Sequence, residues 1–232
     1  MSHTRFYCSV FCAAIVLFLL SPANATIVGT VNIQNHNNAI SDQGQLWGGG
    51  LTGGAYYTGI YSWTNAGGIG AGIDVPNWGF CIELTQGAFN GWQDVIYLQD
   101  APVPPMYGTP MGMTKANYIR ELWGRFFDPA WETGANTQMA EAFNMAMYEI
   151  IYETDPVWDV TSGTGFYCAG VEQAATSNLW LSELTGNSAY FANNLVATST
   201  LDGQDYLVEI PEPATLALLA AGTLAMLRRK IK

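Results

Sequence analysis

The sequence predicts an α+β fold: an antiparallel β sandwich or barrel-like part with an inserted three-helix subdomain, preceded by a signal peptide and followed by a transmembrane helix. Two observations predict it. Residues up to about 108 carry β-branched and aromatic runs, partly alternating, broken by Gly and Pro. From about 114 to 186 the apolar spacing lengthens to the helical period, and a strand-like run returns at 203–210. No repeat of domain-building length is visible.

The strands come first. TIVGTVNIQ, GAYYTGIYSW, NWGFCIEL and DVIYL are the four expected in the β part, 26–108. GQLWGGGLTGG, NAGGIGAG and APVPPMYGTP separate them, and their Gly and Pro density predicts turns and loops. Neither WGGG nor AGGIGAG leads into a Lys-bearing helix or a βαβ unit, so neither is a nucleotide loop. Three helices follow in 114–186. Thr114 is placed to cap a helix over 115–127, with Ile119, Leu122, Trp123 and Phe126 on one stripe, stopped by Asp128-Pro129. Asn136 or Thr137 opens the second, QMAEAFNMAMYEIIYE, with Met139, Phe143, Ala146, Met147 and Ile150 on one side. A third is expected over about 171–184, closed by Gly186. QDYLVEI is the closing strand.

The two ends read as targeting segments. Arg5, the apolar run 10–20 and Ala23-Asn24-Ala25 form the parts of a signal peptide, residues 1–25, cut by signal peptidase. At the other end, residues 214–227 hold no charge and would extend roughly 21 Å as a helix. A bilayer core is about 30 Å thick, so this is a marginal span. The basic stop of Arg228, Arg229 and Lys230, with Lys232 beyond it, stays cytoplasmic and leaves everything before Pro211 outside. Pro211-Glu212-Pro213, then the apolar run, then the basic cluster, closely resembles the PEP-CTERM sorting signal of bacterial proteins. That resemblance implies an exosortase, a transpeptidase-like membrane protease, as partner. It implies cleavage near the triplet, an inner-membrane intermediate, and delivery to the cell surface or extracellular matrix.

Between residues 26 and 210 the cations are Lys115, Arg120 and Arg125, against eighteen carboxylates, a net charge of −15. Nucleic acid and anionic lipid are excluded as partners, since their phosphates need basic surfaces. High aromatic content, 13% over the whole chain, excludes disorder. Cys8 and Cys12 leave with the signal peptide, which leaves Cys81 and Cys168. In an oxidising compartment these read as a Cys81–Cys168 disulfide, as free buried thiols, or as one thiol with a special role. His36 is the one histidine of the ectodomain, in a polar turn-like stretch, so neither a Cys/His metal site nor a His-based nucleophile is expected, and no cofactor is.

GFCIEL and AFNMAMYEIIYE raise a further reading. An aromatic-Cys-aliphatic strand followed by a helix with Phe143, Ala146, Met147, Tyr148 and Ile150 in frame resembles the thioester domain of bacterial surface adhesins, over about 79–207. In that family the Cys sulfur attacks a Gln carboxamide and ammonia leaves. Here Asn144 stands where the Gln is expected, and Gln138 lies too far round the helix to replace it. Asn is one methylene shorter, and misplacement by about 1 Å is severe for such a reaction. The resemblance therefore implies a degenerate pair, Cys81 and Asn144, in an adhesin-like fold that has lost the crosslink.

Carboxylates supply the rival chemistry. Glu83 lies two residues beyond Cys81, and Glu149 and Glu153 one turn apart, while Trp63, Trp78, Trp92, Trp123, Trp131, Trp158 and Trp180 could stack on sugars. No spacing selects a pair, so most Trp read as core or seam and most carboxylates as solvated surface. The expectation is a non-enzymatic secreted surface or matrix protein with an adhesin-like, non-covalent ectodomain and a polysaccharide or protein ligand. The alternatives are a carbohydrate-binding module, a covalent thioester adhesin, and a secreted glycoside hydrolase.

Overall fold

The computed structural model describes residues 25–48, 51–67, 75–102, 109–154, 157–163, 165–168 and 172–211. The expected signal peptide, up to Asn24, lies outside them. So do Glu212, Pro213, the apolar run 214–227 and the basic stop. Among the described residues no helix is long and apolar enough to cross a membrane.

Seven strands form one antiparallel sheet: β1 (Ile27–Gly48), β2 (Leu51–Asn65), β3 (Trp78–Cys81), β4 (Gly91–Tyr97), β5 (Phe166–Cys168), β6 (Leu195–Thr200) and β7 (Gly203–Glu209). The pairings β1–β2–β3–β7–β6–β4–β1 close six of them into a barrel, which leaves no free edge within the ring. β5 adds to the far end of β1, with Leu46 opposite Cys168. Closure settles the sandwich-or-barrel expectation in favour of the barrel.

Among the described residues three α-helices lie between β4 and β6 in the chain: α1 (Gly112–Phe126), α2 (Thr137–Tyr152) and α3 (Ala174–Ser182). α2 packs against β1, β2, β5 and both other helices. Ile60, Phe80 and Leu207 are cross-strand neighbours on one face of the barrel wall, and Phe80 meets Phe143 of α2 at 5.2 Å between ring centroids. The rings of Tyr61, Trp63 and Tyr206 gather on the opposite face, together with His36.

Several sequence expectations change here. The stretch 44–54, expected as a loop, is mostly strand: Leu46 pairs with Gly54 and Gly48 with Leu51. β5 and β6 were not anticipated. α1 starts at Gly112, before Thr114, and its N-cap residue Met111 makes no side-chain cap bond. α2 does not bury one side. Every residue from Ala140 to Tyr152 is buried, while Met139 is exposed. The polar residues Glu141, Asn144 and Glu149 are buried along with the apolar ones, so a one-sided apolar stripe understates how far the helix is enclosed.

Carboxylates were expected on the surface, yet Glu83, Glu121, Glu141, Glu149, Glu153 and Asp205 are buried. With three cations in the ectodomain, ion pairs cannot serve them all. Backbone N–H groups do much of that work. Glu121 accepts from Thr185 N at 2.9 Å, and from Gly186 N, holding the segment after α3 against α1; Arg125 sits 3.3 Å from the same carboxylate. Glu153 accepts from Thr154 N at 2.7 Å and Gly165 N at 3.0 Å. Each such carboxylate fastens a loop to a helix or strand through charge-assisted bonds.

Candidate functional site

The expected constellation meets at the seam between α2 and the barrel, in a different chemical arrangement. Asn144 Oδ1 accepts from the Gly59 N–H at 3.0 Å, and Asn144 Nδ2 donates to the Cys81 carbonyl at 3.0 Å. The amide thus ties α2 to β2 and β3 at once. Gly59 has φ +113°, a conformation open to glycine and rarely to other residues, which lets its N–H turn out of the strand ladder towards Asn144. The Asn144 side chain reaches the Cys81 backbone and bonds no sulfur.

The Cys81 thiol is fully buried and donates to the Glu83 carbonyl at 2.8 Å. The Tyr148 hydroxyl also hydrogen-bonds the sulfur. Burial pushes the thiol up to about 12, with Glu83 and Asp205 adding to the rise, so at neutral pH it is the inert thiol and not the thiolate. One turn on, the Tyr152 hydroxyl accepts from Leu84 N at 2.9 Å and bonds the Ile82 carbonyl at 3.3 Å. Asn144, Tyr148 and Tyr152 therefore form a polar ladder on α2 that stitches the helix to the segment 81–84.

Cys168 is likewise a free, buried thiol, donating to the Val160 carbonyl at 3.2 Å. Of the readings open for the two cysteines, the structure holds Cys81 and Cys168 as separate, buried thiols. Burial, with Glu149 and Glu141 nearby, raises Cys168 to about 12.

Glu83 lies past the end of β3, and its carboxylate accepts from Thr85 N at 2.6 Å, Gln86 N at 3.0 Å and the Thr85 hydroxyl. That is a turn anchor. Glu149 accepts from Asp159 N at 2.9 Å while its second oxygen is buried without a partner, and burial raises it to about 7. Glu153 is the residue that caps α2 rather than part of it. His36 packs its ring against Tyr61, Trp63 and Tyr206, and burial lowers its pKa. Among the described residues no group of three or more His, Cys, Asp or Glu could hold a metal ion.

An open space lies elsewhere. A cavity of about 560 Å³ opens between the start of α1, the end of α2 and the end of α3, with Lys115, Tyr118, Ile150, Glu153, Trp158 and Leu181 in its wall. This is within the range of small-molecule pockets, roughly 300–1,000 Å³. Lys115 Nζ donates to the carbonyls of Ile151 and Glu153, the latter at 3.1 Å. A cation there satisfies carbonyls that the end of α2 leaves open and suits the negative end of the helix dipole. The rings of Tyr118 and Trp158 meet edge to face at 4.7 Å, both half-buried. Lys115 stood out in the sequence as one of three cations between residues 26 and 210 and Trp158 as one of several Trp, but no spacing joined them.

Fold and site together define an acidic α+β barrel domain with a ligand-sized cavity beside its helices and its cysteines sealed inside. The chain also carries a PEP-CTERM protein-sorting motif, matched by the family model over residues 209–230. That motif implies an exosortase-targeted, exported protein with a membrane-anchored intermediate. No curated protein and no solved structure matches the chain.

Proposed function

We propose that this is a surface or matrix protein, released by signal peptidase and exosortase, whose barrel domain is a non-enzymatic, non-covalent binding module of adhesin-like role. The cavity beside Lys115, Tyr118 and Trp158 carries this reading. Its ligand is a surface polysaccharide of neutral sugars. Aromatic rings supply an apolar platform for a sugar face, and the hydroxyls of Thr114 and Ser182 on the same wall supply hydrogen-bonding groups. A net charge of −15 between residues 26 and 210 disfavours anionic polymers. A covalent role is disfavoured by an Asn144 amide already bonded to two backbone groups and a Cys81 thiol raised to about 12.

Two measurements test this. A glycan array probed with the mature domain should give signal on neutral glycans that Trp158→Ala removes while the thermal midpoint stays within a few degrees. Signal unchanged by Trp158→Ala would move the ligand away from this cavity. Intact mass should equal that of the unmodified reduced chain, with both thiols alkylated only after unfolding. Loss of ammonia from the chain, with methylamine captured at Asn144, would restore the thioester adhesin.

A further inference from the structure

The matched sorting motif begins at residue 209, yet β7 runs to Glu209, so the motif starts inside the folded barrel. β7 is an interior strand between β3 and β6. Glu209 pairs with Leu195, and its carboxylate accepts from Trp123 Nε1 at 3.1 Å. Beyond the strand, one residue grips both backbone groups of Ile210. Ile210 N donates to the Asn194 carbonyl at 3.0 Å, and Asn194 Nδ2 donates to the Ile210 carbonyl at 2.8 Å. Pro211 follows, exposed, with no N–H to extend the ladder.

No stalk separates barrel and tail. Four residue steps join Ile210 to Ala214, the start of the apolar run, and extended chain spans at most about 14 Å over them. The polar layer on one side of a bilayer takes up roughly 5–8 Å of that reach. While the tail is inserted, the barrel end therefore stands close to the membrane surface.

A protease that reads extended chain bonds backbone on both sides of the bond it cuts. Residues 209 and 210 have already committed theirs to the barrel. We propose that Asn194 is a positioning residue for processing: the end of β7 must release Ile210 from Asn194 before the sorting protease can seat the Pro-Glu-Pro segment. Processing then follows the population of this locally opened end. The inference rests on the exosortase reading above.

The test is pulse–chase of the full chain in the producing bacterium, following precursor to shortened form by mass. Asn194→Ala removes the side-chain bond and keeps the backbone one, so conversion should be about fivefold faster. Six Gly/Ser residues inserted between Ile210 and Pro211 leave every barrel residue in place and should also speed conversion. If Asn194→Ala melts much earlier than the parent, the insertion variant alone decides. Equal conversion rates for parent and variants overturn the inference and leave the sorting reading intact. A parent chain that is never shortened overturns both.

Discussion

At Asn144 one carboxamide holds a strand crossing together. Its oxygen and nitrogen serve Gly59 and Cys81, and removal leaves two buried backbone groups without partners. Asn144→Ala should lower unfolding free energy by about 3 kcal/mol, read from denaturant titration. Asn144→Gln adds a methylene to a fully buried site and should also destabilise, by about 1–3 kcal/mol, without forming a thioester detectable by mass. The structure sets this amide on α2 against the Cys81 carbonyl. The sequence could not say which Cys81 atom the amide would meet, because backbone and side chain of one residue share a position in the sequence. The same limit hid the carboxylates. Glu83 and Glu149 stood out only as candidate acids, with carboxylates in general expected on the surface; their partners are N–H groups of Thr85, Gln86 and Asp159, and a backbone donor leaves no mark in composition.

Among elements, α2 decides the architecture. It is buried from Ala140 to Tyr152, so the hairpin of β1 and β2, the other helices and the barrel wall must all reach it. Its extent was legible from a long apolar run between Asn136 and Thr154. Its full enclosure was not, because Glu141, Asn144 and Glu149 mimic a polar face. β6, LVATST, carries the β-branched signal of a strand, but it is short and follows a turn-rich stretch. Its place between β4 and β7 is set by partners over a hundred residues and a few residues away. The β3–β7 contact depends on a small side chain. A Cβ on Gly79 would lie 2.7 Å from the Leu207 carbonyl and 2.8 Å from the Trp63 ring. Gly79→Ala should therefore destabilise the domain by about 1–3 kcal/mol, seen as a lower denaturant midpoint. Gly67→Ala tests steric origin from the other side: its Cβ would meet nothing within 4 Å, and its left-handed φ of +127° would make backbone strain the sole cost.

For the whole molecule, an acidic chain that buries carboxylates becomes sensitive to pH in a definite direction. Burial raises Glu149 from 4.5 to about 7 and Asp205 from 3.8 to about 7. Between about pH 4 and 7 the folded protein keeps protons that the unfolded chain has released, so stability falls as pH rises and levels off above 7. Two groups work in the opposite sense. Burial lowers the His36 pKa below 6.5, so this one imidazole opposes the two carboxylates within the window, favouring the fold as pH rises towards 6.5. Bonds from Thr161 hold Asp159 at about 2, so its contribution is present above 3.8 and fades only in stronger acid, outside that window. The thermal midpoint should be higher at pH 5 than at pH 8, and Glu149→Gln with Asp205→Asn should flatten the difference. A profile rising from pH 5 to 8 would mean that these groups ionise freely inside the fold.

The barrel closes with its last strand. β1, β2 and β4 come early, but β7 is the piece that joins β3 to β6, and it ends where the sorting motif begins. Until residue 209 is available the ring is open, and β3 and β6 each expose a row of unpaired backbone groups. Asp205 and Tyr206 enter with β7, so the buried polar and aromatic contacts around Cys81 are also completed last. A chain of residues 26–210 should therefore unfold in one cooperative transition, whereas residues 26–202 should bind a hydrophobic dye, lack near-ultraviolet circular dichroism and aggregate. Adding a synthetic peptide of residues 203–210 to the shorter chain should restore the aromatic signal, because the missing strand supplies both ladders and the Tyr206 ring. Recovery of a native spectrum by residues 26–202 alone would show that β3 and β6 can close the barrel without β7, and that folding does not wait for the segment next to the sorting motif.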